Sequence, residues 1–246
     1  MASKATIERQ KSAEKVIAAG RTHKSKISQE IAKAYGRRVG AAVDLLIETI
    51  VNDLQIKTTE MLDKDDAHEA ELRDDPTVRQ NRDDLSAQVY DQLVNTREQL
   101  EVVCGSDYVA RLGFGGKTPD DPIEVARLAK VTADNLSSLP PPPSKLPGYT
   151  FDPAVWSAPL VEKSDQLTQL VTQVATEERE AEATLMAKHE TLENYDAAFS
   201  CTANIISALL QSAGEKELAD RVRPSTHRSG QTRELTEEPA QAASQH

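Results

Sequence analysis

Three polar side chains near the C-terminal end of the sequence have the types that bind metal ions. Glu178, Glu182 and His189 interrupt a stretch whose apolar residues recur every three or four positions. Helical bundles hold two-metal centres with inward-facing carboxylates and with Glu-x-x-His motifs on two helices. That motif is absent, and the nearest spacing elsewhere, Asp65-x-x-His68, falls in an acidic part that we expect to be solvated. The three residues are therefore metal candidates, with polar residues that fix the register of a helix seam as the alternative.

A second chemical signal is the run Gly-Gly-Lys-Thr at residues 115–118. Phosphate-binding loops end in such residues, because the glycines expose backbone N–H groups to a phosphate and the lysine adds positive charge. Arg111 stands where the first glycine of that motif belongs, and Pro119 removes one N–H group from the turn. The run therefore predicts a glycine-rich corner before a capped helix.

Side chains for nucleophilic catalysis are sparse. The sequence has no Gly-x-Ser-x-Gly elbow, and only His68 and His189 among five histidines fall in predicted helices. Cys104 and Cys201 lie far apart without the Cys-x-x-Cys spacing of zinc sites, so we expect two small core residues and no disulfide. These observations argue against an enzyme, and we predict no cofactor.

The elements that carry these residues are predicted to be helices, and the first long one follows the basic N-terminal segment. We expect it to stop in a tight turn at Asp75-Pro76, after which a second helix returns antiparallel. Ala32, Gly36 and Gly40 recur every four residues and predict a close crossing of another helix. The predicted inward stripe of the first helix includes Ile31, Tyr35, Val39, Ala42, Leu46, Ile50 and Leu54.

A short third helix and a proline-rich crossover are predicted next. Asp121 has the side chain of an N-cap, and Pro122 and Glu124 complete the start of the third helix. Prolines from Pro140 onward exclude a helix and predict an extended strap. The most regular apolar pattern follows and predicts the second long helix, which ends at Gly214. The predicted inward face of the third helix is Ile123, Ala126, Leu128, Val131 and Leu136.

These elements predict an all-α fold, an elongated antiparallel helical bundle with two long helices, two shorter helices and a proline-rich crossover strap. Alternating three- and four-residue steps give the last helix a coiled-coil character. The predicted segments are a basic N-terminal arm that is partly helical or frayed (1–26), a helical hairpin plus short third helix (27–139), the strap (140–158), a long C-terminal helix that completes the bundle (159–222) and a disordered tail (223–246).

Aromatic and apolar side chains in the strap and on the last helix are the predicted interaction residues. We expect Trp156, with Phe151 and Tyr149, to pack the strap against the bundle. The alternative is that these residues form an exposed aromatic peptide that a partner recognises. The last helix is longer than the helices that cover it, so we expect part of its apolar stripe to be exposed and available to a second copy or a partner. The interaction candidates are Trp156, Phe151, Leu185, Leu192, Tyr195 and Phe199.

Composition limits the classes of partner. Of 246 residues, 40 are Asp or Glu and 29 are Lys or Arg, which gives an acidic chain with a net charge of −11. Residues 1–38 carry ten bases and three acids, but Tyr35 is their single aromatic residue, so we predict no specific nucleic-acid binding. No stretch is apolar enough for a membrane span or a secretion signal, and we expect a cytoplasmic protein.

The function that these patterns favour is that of a non-catalytic helical-bundle protein, acting in interaction, as a scaffold or in assembly. We predict a protein partner or self-association, and no small-molecule substrate. Two alternatives stay open. One is a bundle-core metalloprotein or oxidoreductase with a ferritin-like site, and the other is a membrane-active long-helix protein.

Overall fold

The computed structural model describes residues 3–148 and 150–233, apart from the side chains of Asp74 and Asp75. Helices account for 82% of these residues, and no strand longer than an isolated bridge occurs among them. Their six helices are α1 (Lys4–Tyr35), α2 (Arg37–Val103), α3 (Ser106–Arg111), α4 (Pro122–Ser138), α5 (Pro153–Ser212) and α6 (Lys216–Val222). The predicted all-α bundle with two long helices is therefore confirmed.

The helices form two compact units. Unit 1 combines Met1–Ala70 with Glu182–His246, and unit 2 is the single stretch Glu71–Ala181. The two long helices, α2 and α5, each contribute one part to unit 1 and another part to unit 2. This division does not follow the predicted segments, because the N-terminal residues belong to a unit that also contains the end of the chain.

Parts of α1, α2 and α5 form the core of unit 1 together with the short α6. The first two run antiparallel, while α1 and α5 run parallel. These directions follow from the pairs Ser3–Asp65 and Lys24–Glu48 between α1 and α2. Arg9 pairs with Asp196 of α5, and Lys26 pairs with Glu215, which follows the end of α5. The core includes Ala13, Val16, Ile17, Ile27, Ile47, Val51, Leu54, Phe199, Ile206 and Leu210. Burial of their apolar surface, at about 25 cal/mol per Å², is the main stabilising contribution.

The basic N-terminal segment is part of this core, which corrects the prediction of a partly frayed arm. α1 begins at its N-cap Ser3, whose hydroxyl accepts a hydrogen bond from the Thr6 amide at 3.4 Å, and Val16 is fully buried. Gly20 lies inside α1, where this helix meets α2. An added Cβ at Gly20 would be 2.7 Å from Cγ2 of Val51. A side chain there would push the helices apart, so close packing requires the glycine.

The chain reverses at Gly36, between α1 and α2. Gly36 has a φ of 97°, a left-handed conformation that glycine adopts far more readily than other residues. Across the reversal, an added Cβ at Gly40 would lie 2.6 Å from the Cβ of Ala32. The predicted close crossing therefore occurs between Ala32 and Gly40, while Gly36 forms the break itself and is not part of a helix face.

α2 continues through Asp75-Pro76, so the predicted stop and tight turn at this position are wrong. Pro76 lacks the N–H group that would bond the Leu72 carbonyl, and a proline inside a helix costs about 3 kcal/mol relative to alanine. The helix bears this cost because its apolar residues before and after Pro76 pack into the cores of unit 1 and unit 2 respectively. The antiparallel hairpin of the fold is instead the α1–α2 pair.

Unit 2 packs the C-terminal part of α2 with α3, α4 and the N-terminal part of α5. α4 has the predicted cap, because Oδ1 of Asp121 accepts hydrogen bonds from the amides of Ile123 and Glu124 at 3.0 and 3.1 Å. The inward face of α4 differs from the prediction, since Ile123 and Val131 are exposed. The buried residues of α4 are Val125, Ala126, Ala129, Thr132, Ala133 and Leu136. The buried face of α4 is therefore rotated about the helix axis relative to the predicted face. The two faces share Ala126 and Leu136.

The proline-rich strap is shorter than predicted, because α5 begins at Pro153 and not at residue 159. Proline fits the first turn of a helix, where its missing N–H group has no partner to lose. Phe151 is buried, and its ring centroid lies 6.4 Å from those of Tyr108 and Trp156. The predicted packing of the strap is thus confirmed for Phe151 and Trp156, and Tyr149 lies outside the described residues.

Residues 223–233 pack on unit 1, which corrects the prediction of a disordered tail for this part. After α6 the chain makes a short antiparallel bridge, in which the amide of Arg233 donates to the carbonyl of Arg223 at 2.9 Å. Gly230 is buried within it. The remainder of the predicted tail, residues 234–246, lies outside the described residues.

Candidate functional site

The three metal candidates lie on the exposed surface of α5. Glu178, Glu182 and His189 are all exposed, and Oε1 of Glu178 is 3.3 Å from Arg79. The predicted seam is buried at Leu167 and Val174 in unit 2 and at Tyr195 and Phe199 in unit 1. The seam positions that carry the metal candidates lie between these two buried parts. Exposed positions do not provide the desolvated surroundings of a bundle-core metal centre.

A different group of carboxylates meets in unit 2. Glu71, Glu177 and Glu180 each place one oxygen within 4.8 Å of the others, and no other such trio occurs in the described residues. Glu71 and Glu177 are half-buried and Glu180 is exposed. Carboxylate oxygens are the ligands of hard divalent cations, but exposed helices also carry many acids without an ion. The spacing of Glu177 and Glu180 is visible in the sequence, whereas the approach of Glu71 from α2 is not.

Unit 1 contains a buried charged pair that sequence reasoning missed. The Asp65 side chain is 1% exposed, and its Oδ1 lies 2.7 Å from Nζ of Lys188, while the Ser3 amide donates to its other oxygen. One turn further along α2, Nδ1 of His68 lies 3.0 Å from the Thr184 hydroxyl. The expectation that Asp65 and His68 are solvated is therefore wrong.

This pair joins three helices through one carboxylate. Burial raises the pKa of Asp65, but the ammonium of Lys188 and the hydrogen bond from the Ser3 amide outweigh it, so the pKa lies below its usual value. Asp65 is thus a charged group that holds α1, α2 and α5 together. The ammonium beside it neutralises the charge that would otherwise attract a metal ion.

The six predicted interaction residues fall into three environments. Phe151, Tyr195 and Phe199 are buried, Leu192 and Trp156 are partly buried against a core, and Leu185 is exposed. The buried three cannot touch a partner while the units are folded, which corrects their proposed role. Interaction stays a prediction for the other three, of which Leu185 is the most accessible.

The hydroxyl of Tyr195 fastens residues 223–233 to unit 1. The hydroxyl oxygen lies 2.7 Å from the carbonyl oxygen of Arg9 and 2.9 Å from that of Gly230. Because a hydroxyl has one proton, it donates a hydrogen bond to one of these carbonyls at a time. Nε of Arg9 also pairs with Asp196 at 3.0 Å. Burial raises the pKa of Tyr195 far above its usual value, so the residue stays a neutral donor. The arrangement is a structural clasp.

An exposed apolar surface lies on the first part of α2. Leu45, Leu46 and Ile56 are 66%, 42% and 54% exposed, and Val39 is exposed as well. At 3.6 residues per turn, Leu45 and Ile56 lie opposite the buried Ile47, and Val39 and Leu46 lie about a quarter turn from it. We call Val39, Leu45, Leu46 and Ile56 the α2 face.

The remaining sequence signals have structural explanations. Lys117 of the Gly-Gly-Lys-Thr run pairs with Asp120 at 3.0 Å, and a glycine carbonyl of the run accepts a hydrogen bond from Arg97 at 2.7 Å. The run leads into the capped start of α4, so the predicted glycine-rich corner is confirmed. Cys104 and Cys201 are free thiols, and Cys104 is buried as predicted whereas Cys201 is exposed.

The helices within 3–148 and 150–233 are too short or too polar to cross a membrane. No protein-family model, curated protein or solved structure matches the chain.

Proposed function

We propose that this chain is a non-catalytic helical-bundle protein that acts through protein–protein contacts, as an interaction, scaffold or assembly component. The observation that carries the proposal is the α2 face, where four large apolar side chains are exposed on a helix that buries Ile47. Exposed large apolar side chains become contact sites where they group together. The proposal includes a cytoplasmic location, where the free thiols of Cys104 and Cys201 stay reduced.

The size of the α2 face determines how large the contact must be. Complete burial of a large apolar side chain is worth about 1.5–3 kcal/mol relative to full exposure. The four side chains are about half exposed, so covering them yields about 1 kcal/mol each, or about 4 kcal/mol together. Association itself costs about 4–15 kcal/mol. The contact must therefore extend beyond the α2 face to polar groups around it.

Basic residues beside the α2 face indicate the charge of the partner surface. Arg37 and Arg38 directly precede Val39, and neither forms an ion pair with another described residue. Opposite charges around an apolar contact raise the association rate and select the partner more than they raise the affinity. We expect the partner, or a second copy of this acidic chain, to present apolar side chains among carboxylates.

Replacement of Leu45 and Leu46 by serine tests the proposal. The matched control replaces Ile123 and Val131, two exposed apolar side chains that lie on α4. Crosslinking with affinity purification from the native cell, and light scattering of the purified chain, report partner and self-association, while circular dichroism checks that both variants fold. We expect L45S/L46S to weaken the association about tenfold or more and I123S/V131S to leave it unchanged.

Two results would contradict the proposal. A wild-type chain that elutes as a monomer and recovers no partner would remove protein contacts as its function. Loss of the association in I123S/V131S but not in L45S/L46S would place the contact on α4 and show that the α2 face is not used.

A further inference from the structure

Four consecutive prolines lie between α4 and α5 in unit 2, and we call residues 140–143 the proline run. All of them are exposed except Pro142, which is half-buried. A residue that stands before a proline is confined to extended backbone, as Leu139 shows with a φ of −92° and a ψ of 125°. Because each proline also fixes its own φ near about −65°, the run forms a polyproline II helix with about three residues per turn.

The proline run has one side on unit 2 and its other sides open. At about three residues per turn, Pro140 and Pro143 share one edge of the run, while Pro141 and Pro142 stand on the other two edges. Pro142 lines a cavity of about 360 Å³ beside α3, and Pro140 lines part of the same cavity. Pro141 and Pro143 do not line that cavity and are exposed. The edge of Pro142 therefore faces unit 2, and the rings of Pro141 and Pro143 face outward.

Hydrogen bonds on both sides hold the proline run in place. The amide of Leu139 donates to the Asn135 carbonyl at 2.8 Å, where α4 ends. On the other side, the amide of Lys145 donates to the Val103 carbonyl at 2.8 Å. A partner that binds a segment already held in its bound conformation loses less conformational entropy than one that must order a free chain. The run is thus presented as a preorganised surface.

The backbone of the proline run offers acceptors and no donors. Proline has no N–H group, and the carbonyls of residues 140–143 accept no hydrogen bond from any residue within 3–148 and 150–233. Proline rings with open carbonyls on a polyproline II helix are what aromatic-lined grooves recognise. The spacing of Pro140 and Pro143 is that of the Pro-x-x-Pro motif, which such grooves bind.

We propose that the proline run is a docking motif for a partner protein whose groove is lined by aromatic side chains, of the type found in SH3 domains. The partner's groove takes the outward rings of Pro141 and Pro143, and donors at its rim bond the open carbonyls. The proline run belongs to unit 2 and the α2 face to unit 1. The run is therefore a second contact site, argued from observations separate from those that support the α2 face.

Binding of purified SH3 domains to the full-length chain tests this docking. Biolayer interferometry with a panel of SH3 domains measures the dissociation constants, and WW and EVH1 domains are tested in parallel. The test variant replaces Pro140 and Pro143 by alanine, and circular dichroism checks that it folds. We expect at least one SH3 domain to bind the wild type and to bind the test variant about tenfold or more weakly, because both the ring contacts and the preorganised backbone are lost.

Two control variants separate this contact from other effects. The first replaces Pro119 and Pro147 by alanine, which also removes two prolines from irregular segments of unit 2 but leaves the proline run intact. The second is L45S/L46S, which changes the α2 face alone. We expect both controls to bind the SH3 domain as the wild type does, so the two contact sites can fail independently.

Three outcomes would overturn the proposal. Absence of binding by every SH3 domain of the panel would show that the run is a linker only. Equal binding of the wild type and the test variant would place the contact elsewhere on the chain. Binding by WW or EVH1 domains alone would assign the run to another type of groove.

Discussion

The continuity of α2 through Pro76 can be tested by a substitution whose sign depends on it. In a continuous helix, Pro76→Ala restores the hydrogen bond to the Leu72 carbonyl and removes the clash of the proline ring with the preceding turn. If a turn stood at this position, as the sequence suggests, proline would be favoured as the first residue of a new helix and its loss would destabilise the protein.

The magnitude follows from two opposing terms. Proline in a helix interior costs about 3 kcal/mol relative to alanine. Alanine makes the unfolded chain more flexible, which offsets about 0.4–1 kcal/mol of that gain. We therefore expect Pro76→Ala to raise the free energy of unfolding by about 2 kcal/mol, equivalent to about 4–8 °C in the melting temperature.

Urea unfolding followed by circular dichroism at 222 nm measures this change. Pro122→Ala is the matched control, because Pro122 stands at the first position of α4, where no hydrogen bond is missing. We expect this control to lose about 0.4–1 kcal/mol through the unfolded state alone. An unfolding midpoint of Pro76→Ala equal to or below that of the wild type would refute the continuous helix.

The buried Asp65–Lys188 pair and the packing of residues 223–233 against Tyr195 give further expected outcomes. Asp65→Asn should lower the free energy of unfolding at neutral pH by about 2 kcal/mol in urea titrations, less than for a fully buried pair, because Lys188 is 20% exposed. Since the pKa of Asp65 is lowered, its contribution is complete above about pH 4 and is lost as the pH falls through that lowered pKa. Acidification should therefore destabilise the wild type more steeply than Asp65→Asn, and parallel pH profiles would contradict this. Deletion of residues 223–246 should lower the melting temperature by about 4–8 °C, because it uncovers Tyr195 and removes about 2 kcal/mol of hydrogen bonding and packing. The control deletion of residues 234–246 keeps Gly230, so Tyr195 stays covered and the melting temperature should not fall by this amount.

Local signals in the sequence predicted the start of α4 and the end of α5 correctly, whereas the start of α5 was placed too late and breaks inside helices were predicted where none occur. Asp121 caps α4 and Gly214 follows α5, because such positions are decided by the residues within one turn. Gly20 and Pro76 also disfavour helix locally, yet both lie in helices. Their local cost is outweighed by apolar burial that involves residues far away in the sequence.

The α2 face shows why the exposed surface was harder to predict than the fold. An apolar stripe through Tyr35, Val39 and Leu46 was predicted to face inward on the assumption of one helix across Gly36. Because the chain reverses at Gly36, α2 starts with a new phase, and Ile47 faces the core instead. Residues 223–233 were missed for a different reason, since backbone hydrogen bonds hold them and leave no period in the sequence.

The division of unit 1 between the two ends of the chain sets an order for folding during synthesis. Unit 2 is a single stretch, so all of its residues have been synthesised before the last part of α5 is made. α1 and the start of α2 must wait for that part, with Ile27 and Ile47 uncovered in the meantime. Closure of unit 1 across the whole of unit 2 also gives it a high contact order, which slows its folding relative to a contiguous helical unit. The nascent chain therefore passes through a stage in which unit 2 is complete and the N-terminal hairpin still needs protection from aggregation.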